Sequence, residues 1–291
     1  MNRRSLITRG VMLSAILLVL AFAAPALPQQ AQQQQQPPVR IFLRSGPKTH
    51  GPATNGMHDG PSFLKEWKPL LESRGAVVNG ALRFPTAEEL EQADVLVMFA
   101  ADAGSILGEQ RTYFEKFLRR GGGIVCFHDA VVTPQDPQWF AGIVGGSWEN
   151  GVARYFEGES TYYVVNTQHP IVKDLANFRL TDEVYWDLRM MPDAHILLAS
   201  MQPERRRPAA SQPAASQPAM APIGNLIPQV WTYQNQLEGG QPYRAFVNLM
   251  GHHFSTFSDP RARPLFLRGI AWAAKREPEL LTTAEERAAL K

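Results

Sequence analysis

The chain has 291 residues, 44% of them hydrophobic and 19% charged, with a formal net charge of +2 and one cysteine. One cysteine excludes an internal disulfide framework, so stability must come from a hydrophobic core. Three arginines at the extreme N-terminus account for the positive balance, which becomes −1 without them. No basic face then remains to mark nucleic acid as a partner.

Arg3, Arg4 and Arg9 precede an apolar run over residues 11–24, and Ala21, Ala23, Ala24 and Ala26 offer small-residue cleavage sites. Residues 1–28 are therefore expected to be a signal peptide, and the chain to be exported to the periplasm or the exterior. The run is short for a transmembrane helix and no second one follows, so no membrane span is expected after cleavage. Residues 29–38 are a glutamine- and proline-rich linker, too polar to bury anything. The stretch 39–276 is long enough for one large α/β domain, with 277–291 as a tail.

From residue 39 the pattern alternates strand and helix. Residues 39–43 read as a buried strand, 44–60 as a polar loop carrying His50 and His58, and 61–71 as a helix started by Pro61 with Phe63, Leu64, Trp67, Leu70 and Leu71 inward. A short strand at 76–78, a helical turn at 88–92 and a continuous apolar strand at 94–100 follow. Runs apolar on both faces suit a parallel sheet covered by helices on both sides. The helix 108–120 ends in basic residues and Gly121-Gly122-Gly123, which fits the helix dipole and a glycine C-cap. Residues 124–127 are then a short central strand, and His128-Asp129 stands at its C-terminal end.

Beyond this strand the pattern loosens. Residues 136–144 read as a helix with Trp139, Phe140 and Ile143 inward, and 154–165 alternates like an antiparallel strand. Residues 195–200 form a strand, and about 202–222 a disordered insertion carrying Ala-Ser-Gln-Pro-Ala twice. Deleting residues 203–218 is expected to change the melting temperature little, as seen by thermal denaturation. Strands at 229–233 and 243–250 flank Gly239-Gly240, and 259–275 closes the domain as a helix with Asp259 at its N-cap and Pro260 behind it.

Several motifs together carry a family resemblance. They are Gly121-Gly122-Gly123 with Phe127-His128, Val144-Gly145-Gly146, His169-Pro170-Ile171, Thr181-Asp182-Glu183-Val184-Tyr185, Gly251-His252-His253 and Gly269-Ile270-Ala271-Trp272-Ala273. In this order they resemble ThuA-like (trehalose utilisation) proteins over about residues 39–276. The resemblance implies a three-layer α/β/α flavodoxin-like fold, related to class I glutamine amidotransferases, with a mainly parallel sheet. It implies carbohydrate utilisation without fixing a reaction.

A glutamine amidotransferase needs a nucleophilic cysteine at the strand-to-helix elbow. Cys126 lies two residues earlier, inside the strand, and His128 holds the elbow, so glutamine hydrolysis is not expected. His50, His128, His252 and His253 each follow a strand, and parallel strand ends converge on one rim. His58 and His195 read as surface or hydrogen-bonded histidines, and His169-Pro170 as a turn. The expected catalytic residues are His128, Glu183 and His252. His50, Asp129, Tyr185, Trp186 and His253 are expected to bind substrate, the aromatics by stacking on a sugar. An acid at Asp129 departs from the small residue many relatives carry after the histidine.

Histidines and carboxylates from several loops are compatible with a divalent metal, but no closely spaced ligand pair assigns one. The family commonly places a histidine after the Gly-Gly pair, where this chain reads Ser147-Trp148-Glu149-Asn150, so a ligand set using that position does not carry over. Two function classes result: an enzyme acting on a sugar or oxidised sugar by histidine and carboxylate acid–base chemistry, and a non-catalytic module binding a carbohydrate or another small polar ligand. The sequence leaves the oligomeric state open.

Overall fold

Strands that are apolar on both faces have to be covered on both faces, and the centre of the molecule is built that way. The computed structural model describes residues 37–202 and 225–290. Five strands, β1 (Arg40–Ser45), β2 (Val77–Ala81), β3 (Val95–Phe99), β4 (Gly123–Phe127) and β11 (Tyr243–Asn248), run parallel in the order β2-β1-β3-β4-β11. Every residue of β3 and β4 is buried.

Antiparallel strands β10 (Leu226–Asn235), β9 (His195–Met201), β6 (Arg154–Val164) and β7 (Phe178–Trp186) extend the sheet beyond β11 to nine strands among the described residues. Two-residue strands β5 (Gly146–Ser147) and β8 (Arg189–Met190) pair separately. The architecture is the expected α/β sheet, mainly parallel at its core.

Side chains alternate between two apolar layers. Leu43, Val97, Val125 and Phe127 pack with α1 (Gly60–Ser73) and α5 (Ala262–Ala273) through Phe63, Trp67, Phe266 and Ile270. Phe42, Leu96, Met98 and Cys126 pack with α2 (Ala87–Glu91), α3 (Gly108–Arg119) and α4 (Pro137–Val144) through Leu90, Phe114, Phe117 and Phe140. Helix starts follow the sequence signals, since Asp59 and Asp136 accept from the backbone N–H of Ser62 and Trp139. Gly121 sits just past α3 at φ 88, the conformation a glycine C-cap supplies.

Two segments differ from the sequence reading. The regular part of α5 begins at Ala262 rather than 259, yet Asp259 still caps it by accepting from the N–H of Arg261 and Ala262. The expected tail after 276 is packed: Leu281 and Leu290 are buried, and the guanidinium of Arg268 donates to Glu279 and to the carbonyls of Ile171 and Lys173. A short helix, α6 (Ala284–Ala288), follows. The expected signal peptide, most of the linker and the insertion from residue 203 lie outside the described residues.

Gly269 marks the tightest contact of α5 with the sheet, because a Cβ there would fall 2.1 Å from the ring of Phe246, a fully buried residue. Gly269→Ala is expected to destabilise the fold by about 2 kcal/mol in chemical denaturation. Overpacking outweighs the roughly 1 kcal/mol by which alanine is the better helix former.

Candidate metal centre

Three segments of unrelated sequence meet at the C-terminal rim of the parallel strands. His128 follows β4 directly with φ 52, a left-handed conformation that turns the chain at once into a 3-10 turn, His128–Val131. His58 also has positive φ, at 44, and stands next to Asp59, the N-cap of α1. Each such residue costs roughly 1 kcal/mol or more, so the surrounding packing must hold both.

The loop before α1 is held by Lys48, whose ammonium donates to the carbonyls of His50 and Met57 and to Asn55 Oδ1. It is joined to the loop after β11 by the bridge Met57–His253 and by His58 N–H donating to the His252 carbonyl at 3.0 Å. Gly251 has φ 125 and lies so close to Phe257 and His128 that a Cβ would meet the Phe257 ring at 2.8 Å.

Asp182 is the anchor of this arrangement. Its carboxylate, fully buried, accepts from the backbone N–H of Glu183, Gly251 and His252 and from the Thr256 hydroxyl. The hairpin β6–β7 pairs with β9 only at Tyr162–Val164, and its far end brings Glu183 and Tyr185 over the rim. Gln229 on β10 fixes that end by bonding both backbone groups of Tyr185.

The result is a tight set of four donors. His58 Nε2 lies 2.9 Å from His252 Nδ1 and 3.1 Å from His128 Nε2, and the latter two are 3.3 Å apart. Glu183 Oε2 is 3.2 Å from His252 Nδ1 and 3.5 Å from His128 Nε2. All four residues are buried.

The opposite ring nitrogens determine where the protons are. His128 Nδ1 lies 2.9 Å from the Leu249 carbonyl, which can only accept, so Nδ1 carries the proton and Nε2 a lone pair. His58 Nδ1 lies 2.7 Å from Asp129 Oδ2, and though the two are not aligned as a hydrogen bond, a carboxylate so close favours the proton on Nδ1 and the same tautomer. Burial holds the His128 pKa below the ordinary range. Burial also lowers that of His252, but its bond to Glu183 together with the charges of Glu183, Asp182 and Glu157 raises it overall. Burial pushes the Glu183 carboxyl up, yet the bond to His252 and the nearby histidines hold it below its usual value.

Tyr185 is driven well above the usual phenol range by burial, then by the neighbouring acids, and keeps its hydroxyl proton 3.1 Å from His128 Nε2. Two protons, on Tyr185 and on His252 Nδ1, therefore face two lone pairs, on His58 Nε2 and His128 Nε2, and the Glu183 carboxylate. A divalent cation would engage all four donors at once, displacing the His252 Nδ1 proton. Zinc at about 2.1 Å from each nitrogen implies nitrogens about 3.4 Å apart in a tetrahedron, close to the spacing found. Three imidazoles and one carboxylate suit zinc or another borderline divalent ion, and the pairs His58–Asp129 and His128–Leu249 are the outer contacts such ligands require.

His58, Glu183 and His252 line a cleft of about 560 Å³ together with Thr49, His50, Trp148, Tyr155 and Glu157, and His128 lies fully buried behind them. His50 packs against His58 with ring centroids 3.9 Å apart and the rings tilted by 35°, and burial followed by the charges of His58 and His252 lowers its pKa. Trp148 meets Tyr185 edge-on at 5.0 Å.

Of the residues singled out in the sequence, His128, Glu183, His252, Tyr185, Asp129 and His50 gather here. Asp129 stands behind His58, and His253 pairs with Glu157 at 3.0 Å. Trp186 does not line the cleft: strand alternation turns it to the other layer of the sheet, away from Tyr185. His58, expected to be an ordinary polar histidine, is part of the donor set. Its position beside the N-cap of α1, at the rim, is the signal that could have found it. His195 is exposed, and His169 accepts from the N–H of Ile171 as a turn residue.

Cys126 is fully buried in β4, and burial pushes its thiol pKa up. Iodoacetamide is expected to leave it unmodified in the folded protein by mass spectrometry, and Cys126→Ala to cost about 1 kcal/mol of packing. Rapid alkylation would return Cys126 to consideration as a nucleophile.

A family model described as trehalose utilisation, ThuA, matches residues 58–273. A ThuA-like protein from Bacteroides uniformis aligns in structure with TM-score 0.58 and 20% identity, covering 86% of this chain and 99% of its own. One from Parabacteroides merdae gives 0.57 and 20% over 81% and 90%. At this identity they carry the fold alone. No curated protein matches the chain.

Proposed function

The chain belongs to the ThuA, or trehalose utilisation, family, and from that premise we propose that its cleft is a divalent-cation site that performs acid–base chemistry on a sugar or oxidised sugar. The observation that carries this reading is the convergence of His58 Nε2, His128 Nε2, His252 Nδ1 and one Glu183 oxygen, within 4.8 Å of one another, at a cleft that three of the four residues line. A cation held there supplies a Lewis acid for a carbonyl or hydroxyl oxygen of the substrate.

The chain's own residues supply the rest. Tyr185 retains its proton and can donate a hydrogen bond to a substrate oxygen. His50, at the side of the cleft, is neutral near pH 7 and can accept a proton. Asp129 holds His58 in the tautomer that presents Nε2. Trp148 and Tyr155 offer flat faces against which the C–H side of a pyranose can rest. The cleft volume falls within the range usual for small-molecule sites.

The leader composition of residues 1–28 supports action outside the cytoplasm, and no helix among the described residues is long and apolar enough to cross a membrane. Mass spectrometry of the secreted fraction is expected to find a mature N-terminus near residues 24–30.

Zinc-loaded protein incubated with aldoses, disaccharides and their keto derivatives tests the enzyme reading. Conversion of at least one substrate, lost on chelation, is expected. Saturable binding without conversion of any of them would replace it with a carbohydrate-binding module.

A further inference from the structure

We infer that the His252 ring is shared, with a second divalent cation bound on its outer edge by His252 Nε2, His253 Nε2 and the Glu157 carboxylate. The inference rests on the four-donor reading, in which Nδ1 of the same ring is already engaged. His252 Nε2 is buried and makes no hydrogen bond, and its nearest acidic atom is Glu157 Oε2 at 4.0 Å. An enclosed ring nitrogen without a partner is rare enough to need an explanation.

The ordinary explanation is that a ligating histidine gives its second N–H to a carboxylate. Here Glu157 is too far for that bond, and its other oxygen lies 3.0 Å from His253 Nε2. Glu157 thus stands between two imidazole nitrogens, and the three donor atoms lie within 4.8 Å of one another.

Two imidazoles and a carboxylate are a zinc-type donor set that leaves coordination positions open. Glu157 is 43% exposed and lines the cleft, so those positions face the space where substrate enters. The set is also held in place. Asp182 fixes the backbone of Gly251 and His252, and the bridge from Met57 fixes His253.

With Nδ1 engaged by the first cation, the ring proton would stand on Nε2, and coordination there would break that N–H bond. The proton passes to solvent, the electron pair forms the bond to the cation, and no oxidation or reduction takes place. The second would bind after the first and more weakly, because two cations on one ring repel each other.

Zinc chloride titrated calorimetrically into untagged, chelator-stripped protein tests this, with metal content measured after gel filtration. Wild type is expected to take two equivalents in two steps. Glu157→Gln with His253→Gln is expected to take one. If the double variant fails to fold, Glu157→Gln alone is read the same way. One equivalent in wild type, or two in the folded variant, would overturn the second site and leave the first standing. No zinc in wild type would overturn both.

Discussion

Replacing His128 with alanine is expected to weaken zinc binding by more than about a hundredfold, beyond the 10- to 100-fold typical of losing an outer-shell partner. His128 is fully buried, its Nδ1 is committed to the Leu249 carbonyl, and its Nε2 is within 3.5 Å of His58, His252 and Glu183. No neighbour can replace that nitrogen. The variant also places alanine at φ 52, so a stability loss of roughly 1–3 kcal/mol is expected. His128→Asn separates the two effects, because asparagine tolerates the left-handed conformation better. It is expected to recover part of the stability and little of the affinity, read by calorimetry and thermal melting. Wild-type zinc affinity in folded His128→Ala would remove His128 from the donor set.

The largest loss of stability is expected at a residue that holds no substrate. Asp182→Ala leaves the N–H groups of Glu183, Gly251 and His252 and the Thr256 hydroxyl without their acceptor in a fully buried site. Each unsatisfied donor costs about 1–3 kcal/mol before relaxation, and hydrogen bonds to a charged acceptor lie at the strong end. A net loss of about 3–5 kcal/mol is expected, which for a domain of this size lowers the melting temperature by roughly 6–20 °C. Asp182→Asn, with one accepting oxygen instead of two, is expected to fall between. The loop that presents His252 should loosen with it, and faster amide exchange at Gly251 and His252 would report that. A melting temperature unchanged by Asp182→Ala would mean that the loop is held by something else.

The parallel core was legible because β3 and β4 are apolar on both faces, which only a sheet covered twice requires. His128 and His252 were legible for a topological reason, since each follows a strand of that core. His58 was not. It sits late in a polar loop without periodicity, and it reaches the site only because that loop is joined to the one after β11 through Met57 and His253. Glu183 and Tyr185 were found by motif, and Trp186 came with them because β7 had not been recognised as a strand. Its burial changes along its length, exposed on one side near Arg179 and enclosed on both around Val184, which erases the period-two pattern. Asp182 stands in the same motif as Glu183 and proves to be an anchor, a role that depends on groups 69 to 74 residues away.

The central claim is that the rim of the parallel sheet holds a cation between three imidazoles and a carboxylate. Anomalous scattering above and below the zinc absorption edge, from crystals of the full chain grown with zinc, tests it most directly. The account predicts a zinc peak at about 2.0–2.2 Å from His58 Nε2, His128 Nε2, His252 Nδ1 and a Glu183 oxygen. An ordered structure without a peak at those four atoms, with His128 and His58 joined only through protons or solvent, would contradict it.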